Sequence, residues 1–356
     1  MKKTILSLPM MPVKGDNYGK FVTPIICEAF RNLLNGEFYY CVNLLDSFHD
    51  RNQLLPDYIE SLNDNDIKYD KMWIDSQNIS CLLDNIELLI KKGFVDEIYS
   101  NIYRCNCGVV EIEENKIFSC NPNKLKFEYK NGEMYCKKCG SICKKYREKI
   151  LVFIPYGIKK EQLIFFPNYL HKDIKTYEQT ILNSYLTISR VRNTGIQVFF
   201  NKTNYNIDID FLWATYLSNF SQKEKLVVSS NKSIYQLFLT GVLERCLVNE
   251  SKTILLATPY IDNLKNIVDN PLFINNPQFR KLAILLSIRW KNKNIMVDET
   301  LLKFLKKLND DDLNLLYSIV CTRNNVEEEF FANIEGIIKD QFNMQNNIKA
   351  LKRERK

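Results

Sequence analysis

Histidine is nearly missing from this chain. Only His49 and His171 occur in 356 residues, so no histidine-based signature can be written on it. Long apolar runs are missing too. No stretch approaches the roughly 20 residues that a membrane-crossing helix needs. Lys2-Lys3 and the short apolar run after them imitate the start of an export signal, but Pro9 and Pro12 interrupt the run and no small-residue cleavage site follows. The expected location is therefore the cytoplasm. Neither an internal repeat nor a low-complexity linker is present, which sets aside solenoids and strings of tethered modules.

What is present describes a globular protein. Hydrophobic residues make up 46% and aromatics 12%, enough for one large core or two modest ones. The formal net charge of +7 tolerates an anionic partner such as nucleic acid without demanding one. The eleven cysteines are unevenly spread: six fall between Cys105 and Cys143, while Cys27, Cys41, Cys81, Cys246 and Cys321 stand alone in apolar surroundings and read as small buried hydrophobes.

The chain opens on the unit around which the rest is organised. The apolar segment from Ile5 to Pro12 reads as a strand, Lys14 to Phe21 as a glycine-containing turn, Val22 to Leu34 as a helix by its apolar spacing, and Phe38 to Asp46 as a second strand. Strand, turn, helix and strand in this order make a βαβ unit of a parallel sheet. A helix that starts just past a strand end offers free N–H groups and a dipole to an anion. Ser47 to Asn52 reads as a loop at the carboxyl edge of the sheet. Further helices are expected from Leu54 to Leu62 and from a cap at Ser76 to about Lys92, with Gly93 closing the second.

From Ser100 to Glu148 the texture changes to short strands broken by Asn-Pro-Asn and Lys-Asn-Gly turns. Strands follow at Ile150 to Pro155 and Gln162 to Phe166, a helix from about Lys175 to Leu186, a strand in Asp208 to Tyr216, and a strand-helix pair at Leu226 to Asn231 and Ile234 to Leu243. Another buried strand spans Thr253 to Ala257. Helices close the chain at Glu299 to Leu308, Asp311 to Cys321 and Val326 to Phe342, ahead of a charged tail, Ala350 to Lys356, expected to fray.

The clustered cysteines read as two knuckles of a zinc ribbon. Cys105-Asn106-Cys107-Gly108 and Cys136-Lys137-Lys138-Cys139-Gly140 each put two thiols on a tight turn, and two such turns complete a tetrahedral four-sulfur site. The C-x-x-C-G half is the stronger signal; Cys120 or Cys143 could replace a member of the C-x-C half. Free thiols or a redox pair are the competing reading, and a disulfide framework does not suit a chain without an export signal. A closed four-thiolate site has no place for water, so the metal would be structural, holding together an insertion too small to build its own core.

Several of these segments resemble class I aminoacyl-tRNA synthetases of the methionyl type. The resemblance rests on Leu8-Pro9, Gly15 and Tyr18-Gly19-Lys20 before the long helix, on the strand ending in Asp46, on Ile188-Ser189-Arg190 ahead of Gly195, and on the cysteine knuckles lying between two halves of an α/β fold. It implies a Rossmann-like parallel sheet with a zinc-ribbon insertion and a C-terminal helical segment. The division would be 1–99 and 149–265 for the two halves of the catalytic domain, 100–148 for the zinc-binding connective insertion, and 266–356 for a helical region without a full anticodon-binding domain.

The resemblance also implies site residues. Asp46 would hold an amino acid's α-amino group, Leu8, Met10 and Tyr18 would line its pocket, and Gly19 and Lys20 would hold phosphate. Trp213 would alter or fill the pocket, while Ser229, Asn231 and Gln236 stand where the family carries its Gly-Lys-Asp turn and an ATP-facing histidine. The departures are as clear. Asn17 and Lys20 occupy the places of the two histidines of the HIGH signature, and no KMSKS sequence occurs; Arg289, Lys291 and Lys293 are the basic residues nearest its place. The implied function is a divergent, truncated homologue that binds an amino acid or aminoacyl nucleotide and forms an aminoacyl-adenylate with ATP for transfer to tRNA or another acceptor. A catalytically silent scaffold or regulatory binding protein is the alternative, and a zinc-ribbon nucleic-acid binder a third reading.

Overall fold

A computed structural model of the protein describes residues 3–12, 18–45, 51–107, 110–112, 117–120, 127–167, 170–190, 195–222, 224–248, 250–261, 275–288, 290, 294–295, 299–321 and 342–356. The chain begins with β1 (Thr4–Ser7), α1 (Val22–Leu33) and β2 (Glu37–Val42), followed by α2 (Leu55–Asp64), β3 (Lys71–Ile74) and α3 (Ile79–Lys91). Next come β4 (Val95–Arg104), β5 (Val110–Ile112), β6 (Ile117–Ser119), β7 (Phe127–Lys130), β8 (Glu133–Cys136) and β9 (Lys144–Phe153). Then follow β10 (Ile164–Phe166), α4 (His171–Tyr177), β11 (Tyr185–Thr187), β12 (Ser189–Arg190), β13 (Gln197–Phe200), β14 (Thr203–Ile207) and α5 (Ile209–Ala214). The last part contains β15 (Glu224–Ser230), α6 (Ile234–Leu247), β16 (Lys252–Thr258), α7 (Pro277–Ser287), α8 (Glu299–Leu305), α9 (Asp310–Cys321) and α10 (Met344–Glu354).

Six strands form the central sheet in the order β10-β16-β15-β1-β2-β3, and every pairing is parallel. Its central strands read as near-continuous apolar runs because both faces are covered. Ile5, Leu226, Val228, Ile254 and Leu256 belong to one core with α1, α7, α8 and α9, while Leu6, Val227, Leu255 and Ala257 point into the other with α3, α5 and α6. Helix α1 is buried along nearly all its length. It carries one charge inward, Glu28, which meets Lys281 of α7 at 3.0 Å with both side chains almost fully buried.

The chain leaves the sheet through one long antiparallel ladder. Strands β4 and β9 pair over ten rungs, from Val95 with Phe153 to Arg104 with Lys144. Ser100 and Glu148, the limits expected for the insertion, share a rung. The β7–β8 hairpin and the clustered cysteines lie beyond the far end.

Several expectations need correction. Ser76 does not cap α3: Asn78 stands at that N-terminus, and Ser76 instead donates its hydroxyl to Asn52 Oδ1 at 3.0 Å. Asp208 to Tyr216 is not a strand. The alternating Ile209, Phe211 and Trp213 suggest one, but Asp208 accepts from the Asp210 N–H and caps a helix. The helix expected from Lys175 to Leu186 begins earlier, at His171, and is followed by a π-helical turn over Glu178–Leu182. Tyr185–Thr187 goes to a strand because β9 and β6 offer it partners on both sides. Cys81 is exposed, not buried. The charged tail is helical as far as Glu354, the end of α10, where Leu351 packs inward. The expected helix Val326 to Phe342 falls almost wholly outside the described residues.

A candidate nucleotide site and a candidate metal centre

Strand β1 lies between β15 and β2, so successive connections leave it in opposite directions. At such a switch point the loops beyond the carboxyl ends of the strands part and leave a crevice. A cavity of about 340 Å³ opens there, lined by Leu8, Pro9, Met10, Met11, Gly19, Lys20, Thr23, Ser229, Ser230, Lys232 and Ser233.

Local sequence explains each wall. The chain leaving β1 stays tied to both neighbours, since Leu8 N–H donates to Val228 O at 2.8 Å and Met10 N–H to Cys41 O at 3.0 Å. From beneath, Tyr40 donates its hydroxyl to Met10 Sδ at 3.8 Å. Gly19 and Lys20 sit in the 3-10 turn Tyr18–Lys20 just before α1, and Thr23 in the first turn of that helix. Lys232 and Ser233 occupy the matching place between β15 and α6. Two helix N-termini thus border one cavity, each contributing a lysine close by.

The electrostatics are one-sided. Among the described residues lining the cavity there is no carboxylate; the charged groups are the two lysines, and Ser229, Ser230, Ser233 and Thr23 supply hydroxyls. Lys20 donates from Nζ to the Met11 carbonyl at 3.3 Å, and partial burial lowers its pKa from the usual lysine value. An anion entering here would meet two positive helix-dipole ends and two ammonium groups.

A residue absent from the sequence reading shapes the neighbouring edge. Asp75, directly after β3, is fully buried and accepts from Leu44 N–H at 2.7 Å and Leu45 N–H at 3.2 Å. Its carboxylate therefore fixes the chain immediately ahead of Asp46. Burial pushes its pKa up to about 6, against the pull of those backbone N–H groups.

The second site lies beyond the β4–β9 ladder. The sulfurs of Cys105, Cys107, Cys136 and Cys139 lie within 4.8 Å of one another, with 3.2 Å between Cys105 and Cys139 and 3.6 Å between Cys107 and Cys136. Tetrahedral zinc with thiolates at about 2.3 Å would separate the sulfurs by about 3.8 Å, so this donor set fits such an ion. The C-x-x-C-G turn closes as its spacing suggests. Gly140 takes a left-handed φ of 73° and donates its N–H to Cys136 O at 2.8 Å, a geometry that a residue with a Cβ adopts only under strain. Hydrogen bonds from the Ser141 side chain and backbone bring the Cys139 thiol down to about 6, which favours the thiolate that binds metal. Cys120 is elsewhere, donating to Thr187 O at 2.9 Å within the second core. Cys143 is buried against Cys105 and Cys136 but is not one of the four converging thiols.

No protein-family model and no curated protein sequence matches the chain. Solved structures do. Methionyl-tRNA synthetase of Mycobacterium tuberculosis in complex with methionyl-adenylate superimposes with a TM-score of 0.65 at 11% identity, covering 98% of this chain and 81% of that one. The same enzyme bound by methionyl-adenylate in a further crystal structure gives 0.63 at 12% identity over 90% and 71%, and its free state 0.63 at 12% over 98% and 79%. The fold is that of methionyl-tRNA synthetase.

Within this synthetase-like fold the cavity gathers Leu8, Met10, Gly19, Lys20 and Ser229. Tyr18 begins the turn ahead of α1. Asn231 and Gln236 flank the cavity without lining it: Asn231 starts the 3-10 turn after β15 and Gln236 lies in the first turn of α6. Trp213 is 4% exposed, packed in the second core with its indole N–H donating to Asp210 Oδ1 at 3.4 Å. Asp46, Arg289, Lys291 and Lys293 lie outside the described residues. The sequence reading passed over Thr23, Lys232 and Ser233 as site residues. Their signal was positional, since each stands where a helix begins beside a central strand end.

Proposed function

We propose that the chain binds an amino acid or aminoacyl nucleotide at the switch-point cavity and is a synthetase homologue that forms an aminoacyl-adenylate with ATP. The observation that carries this reading is a cavity with no carboxylate among its described lining residues, bordered by two helix N-termini and by Lys20 and Lys232. ATP fits that chemistry: its phosphates would lie against the Gly19–Lys20 turn and the Ser229–Ser233 segment, and the amino acid's side chain against Leu8 and Met10. Asp46 would receive the α-amino group; ahead of it in the chain, Asp75 holds the Leu44 and Leu45 N–H groups.

Activation in this reading is attack of the amino acid's carboxylate on the α-phosphorus with departure of pyrophosphate. Such chemistry depends on positioning and charge stabilisation, and in this chain Lys20, Lys232 and the helix-end N–H groups would supply both. The acceptor would be tRNA or another nucleophile. Zinc at Cys105, Cys107, Cys136 and Cys139 would be structural, and the protein would work in the cytoplasm, in keeping with the lack of a membrane-crossing helix among the described residues.

One observation favours a second reading, a silent scaffold that binds the ligand without turning it over. Asn17 and Lys20 replace the two histidines of the family's first signature, and only two histidines exist to replace them. ATP–pyrophosphate exchange across the twenty amino acids separates the two: exchange with one amino acid supports the enzyme, and saturable ATP binding without exchange supports the scaffold. If ATP and a non-hydrolysable aminoacyl-adenylate analogue both fail to bind, both readings fall.

A further inference from the structure

Beneath the cavity wall lies a pair of buried hydroxyls that the proposed chemistry leaves unused. Tyr40 of β2 and Tyr58 of α2 are 0% and 1% exposed, and their hydroxyl oxygens are in direct hydrogen-bonding contact. Tyr40 Oη also donates to Met10 Sδ at 3.8 Å. Burial pushes both phenols up, that of Tyr58 to about 12, so each oxygen keeps its proton at neutral pH.

Counting those protons fixes the direction of the chain of hydrogen bonds. Two hydroxyls that share one hydrogen bond use one proton between them and leave one over. Tyr58 Oη has no second partner among the described residues, so the proton left over is that of Tyr40, and it goes to the Met10 sulfur. The order is therefore Tyr58 to Tyr40 to Met10. A thioether is a weak acceptor, and two phenylalanines would fill the same space with no polar group to satisfy. What a fully buried polar chain adds is a fixed geometry at its end.

Met10 is the residue that needs one. Its backbone is already locked, since it bridges Val42 in parallel, donates its N–H to Cys41 O at 3.0 Å and accepts from Asn43 N–H at 2.9 Å. Its side chain is unbranched with three rotatable bonds, and such a side chain moulds itself to whatever adjoins it. It lines the cavity together with Leu8 and packs on the core below. A hydroxyl on its sulfur holds that side chain toward the core instead of across the cavity. We propose that Tyr40 and Tyr58 are positioning residues for ligand selectivity: through the Met10 sulfur they fix the depth of the subsite that takes an amino acid's side chain. The inference rests on the placement of that side chain against Leu8 and Met10 in the proposed function.

The test measures binding of AMP and of four non-hydrolysable aminoacyl-adenylate analogues, alanyl-, methionyl-, leucyl- and phenylalanyl-sulfamoyl-adenosine, to the full chain by isothermal titration calorimetry. A subsite of fixed depth should spread the four analogues over at least about tenfold in affinity. Tyr40→Phe should narrow that spread by about 2- to 10-fold, the equivalent of one hydrogen bond, with AMP affinity unchanged. Tyr58→Phe, which keeps the Tyr40 hydroxyl, should narrow it less. In a Met10→Leu background, where there is no sulfur to hold, Tyr40→Phe should no longer alter the spread. If Tyr40→Phe does not fold, Tyr58→Phe compared in the two backgrounds carries the test. A parent that binds all four analogues alike overturns the proposal, as does a spread that the tyrosine variants leave unchanged. An equal fall in AMP affinity, or the same narrowing with Met10→Leu, marks a general loss of structure and also overturns it. A parent that binds neither AMP nor any analogue refutes the proposed function and this inference with it, whereas binding that the tyrosine variants do not alter refutes the inference alone.

Discussion

Asp75 and Leu44 are joined by a hydrogen bond of 2.7 Å that crosses from the end of one strand to the chain leaving its neighbour. A carboxylate with no exposure to water is costly to keep charged, and its pKa near 6 against an ordinary 3.8 records that cost. Because the folded value is raised, this group's contribution is fully present below pH 3.8 and is lost as the pH rises through about 6. Relative to Asp75→Asn, the parent protein should lose up to about 3 kcal/mol of stability over that window and change little above it. Urea unfolding of both proteins between pH 4 and pH 8 measures the difference, and a constant offset would refute it. Asp75→Ala, which strands two backbone N–H groups, should cost a further 1–3 kcal/mol at any pH.

The thiol cluster predicts metal stoichiometry. Purified protein should carry about one zinc per chain, since four sulfurs complete a closed tetrahedral site. Replacing Cys107 or Cys139 by serine should lower that to well under half an equivalent, whereas Cys120→Ser and Cys143→Ser should retain the metal. Elemental analysis after dialysis against a weak chelator distinguishes these outcomes.

Lys20 and Lys232 border the same cavity from the turns ahead of two different helices, so their contributions to anion binding should be separable. Charge-assisted hydrogen bonds to phosphate contribute about 1.5–3 kcal/mol each. Either lysine changed to alanine should therefore weaken ATP binding by about tenfold or more, as read by isothermal titration calorimetry. Nearly additive losses are expected in the double variant. Unchanged affinity in both single variants would move the phosphate site elsewhere.

Lys225 of β15 and Glu244 of α6 form a pair at 2.7 Å with side chains 1% and 2% exposed. Thr253 donates to the same carboxylate at 3.0 Å, and Lys225 also donates to Leu217 O at 3.2 Å. Breaking such a pair leaves a buried charge unmatched. Glu244→Ala should cost about 3–5 kcal/mol in a denaturant melt, and pairing it with Lys225→Met should recover much of the loss.

The legible parts of this chain were those in which local pattern and tertiary demand agree. Leu226-Val227-Val228 and Ile254-Leu255-Leu256 read as buried strands because a doubly covered parallel strand permits no polar alternation. The cysteine knuckles were legible because bringing four thiols together at one point imposes spacing directly on sequence. Strand β3 was not, since an edge strand of four residues beginning at an exposed Lys71 carries almost no periodic signal. The same holds at the cavity. Leu8, Gly19 and Lys20 were found through resemblance to a family turn, while Lys232 and Ser233 became visible only once β15 was seen beside β1. Asp75 left no trace in the sequence, because its role depends on Leu44 and Leu45, 31 and 30 residues earlier.

The ten rungs between β4 and β9 make a stiff beam. At one end Leu151 donates its N–H to the buried Ser189 Oγ at 2.8 Å, and just beyond the other lie four converging sulfurs. A beam clamped in this way can be opened only from its free tip, so breaking up the cysteine cluster, by Cys107→Ser or by chelation of a metal held there, should set amides exchanging from Arg104 and Lys144 inward and leave those at Ile150 to Phe153 protected. The module would then be lost as a zip undoing towards a fixed stop, while the central sheet stands.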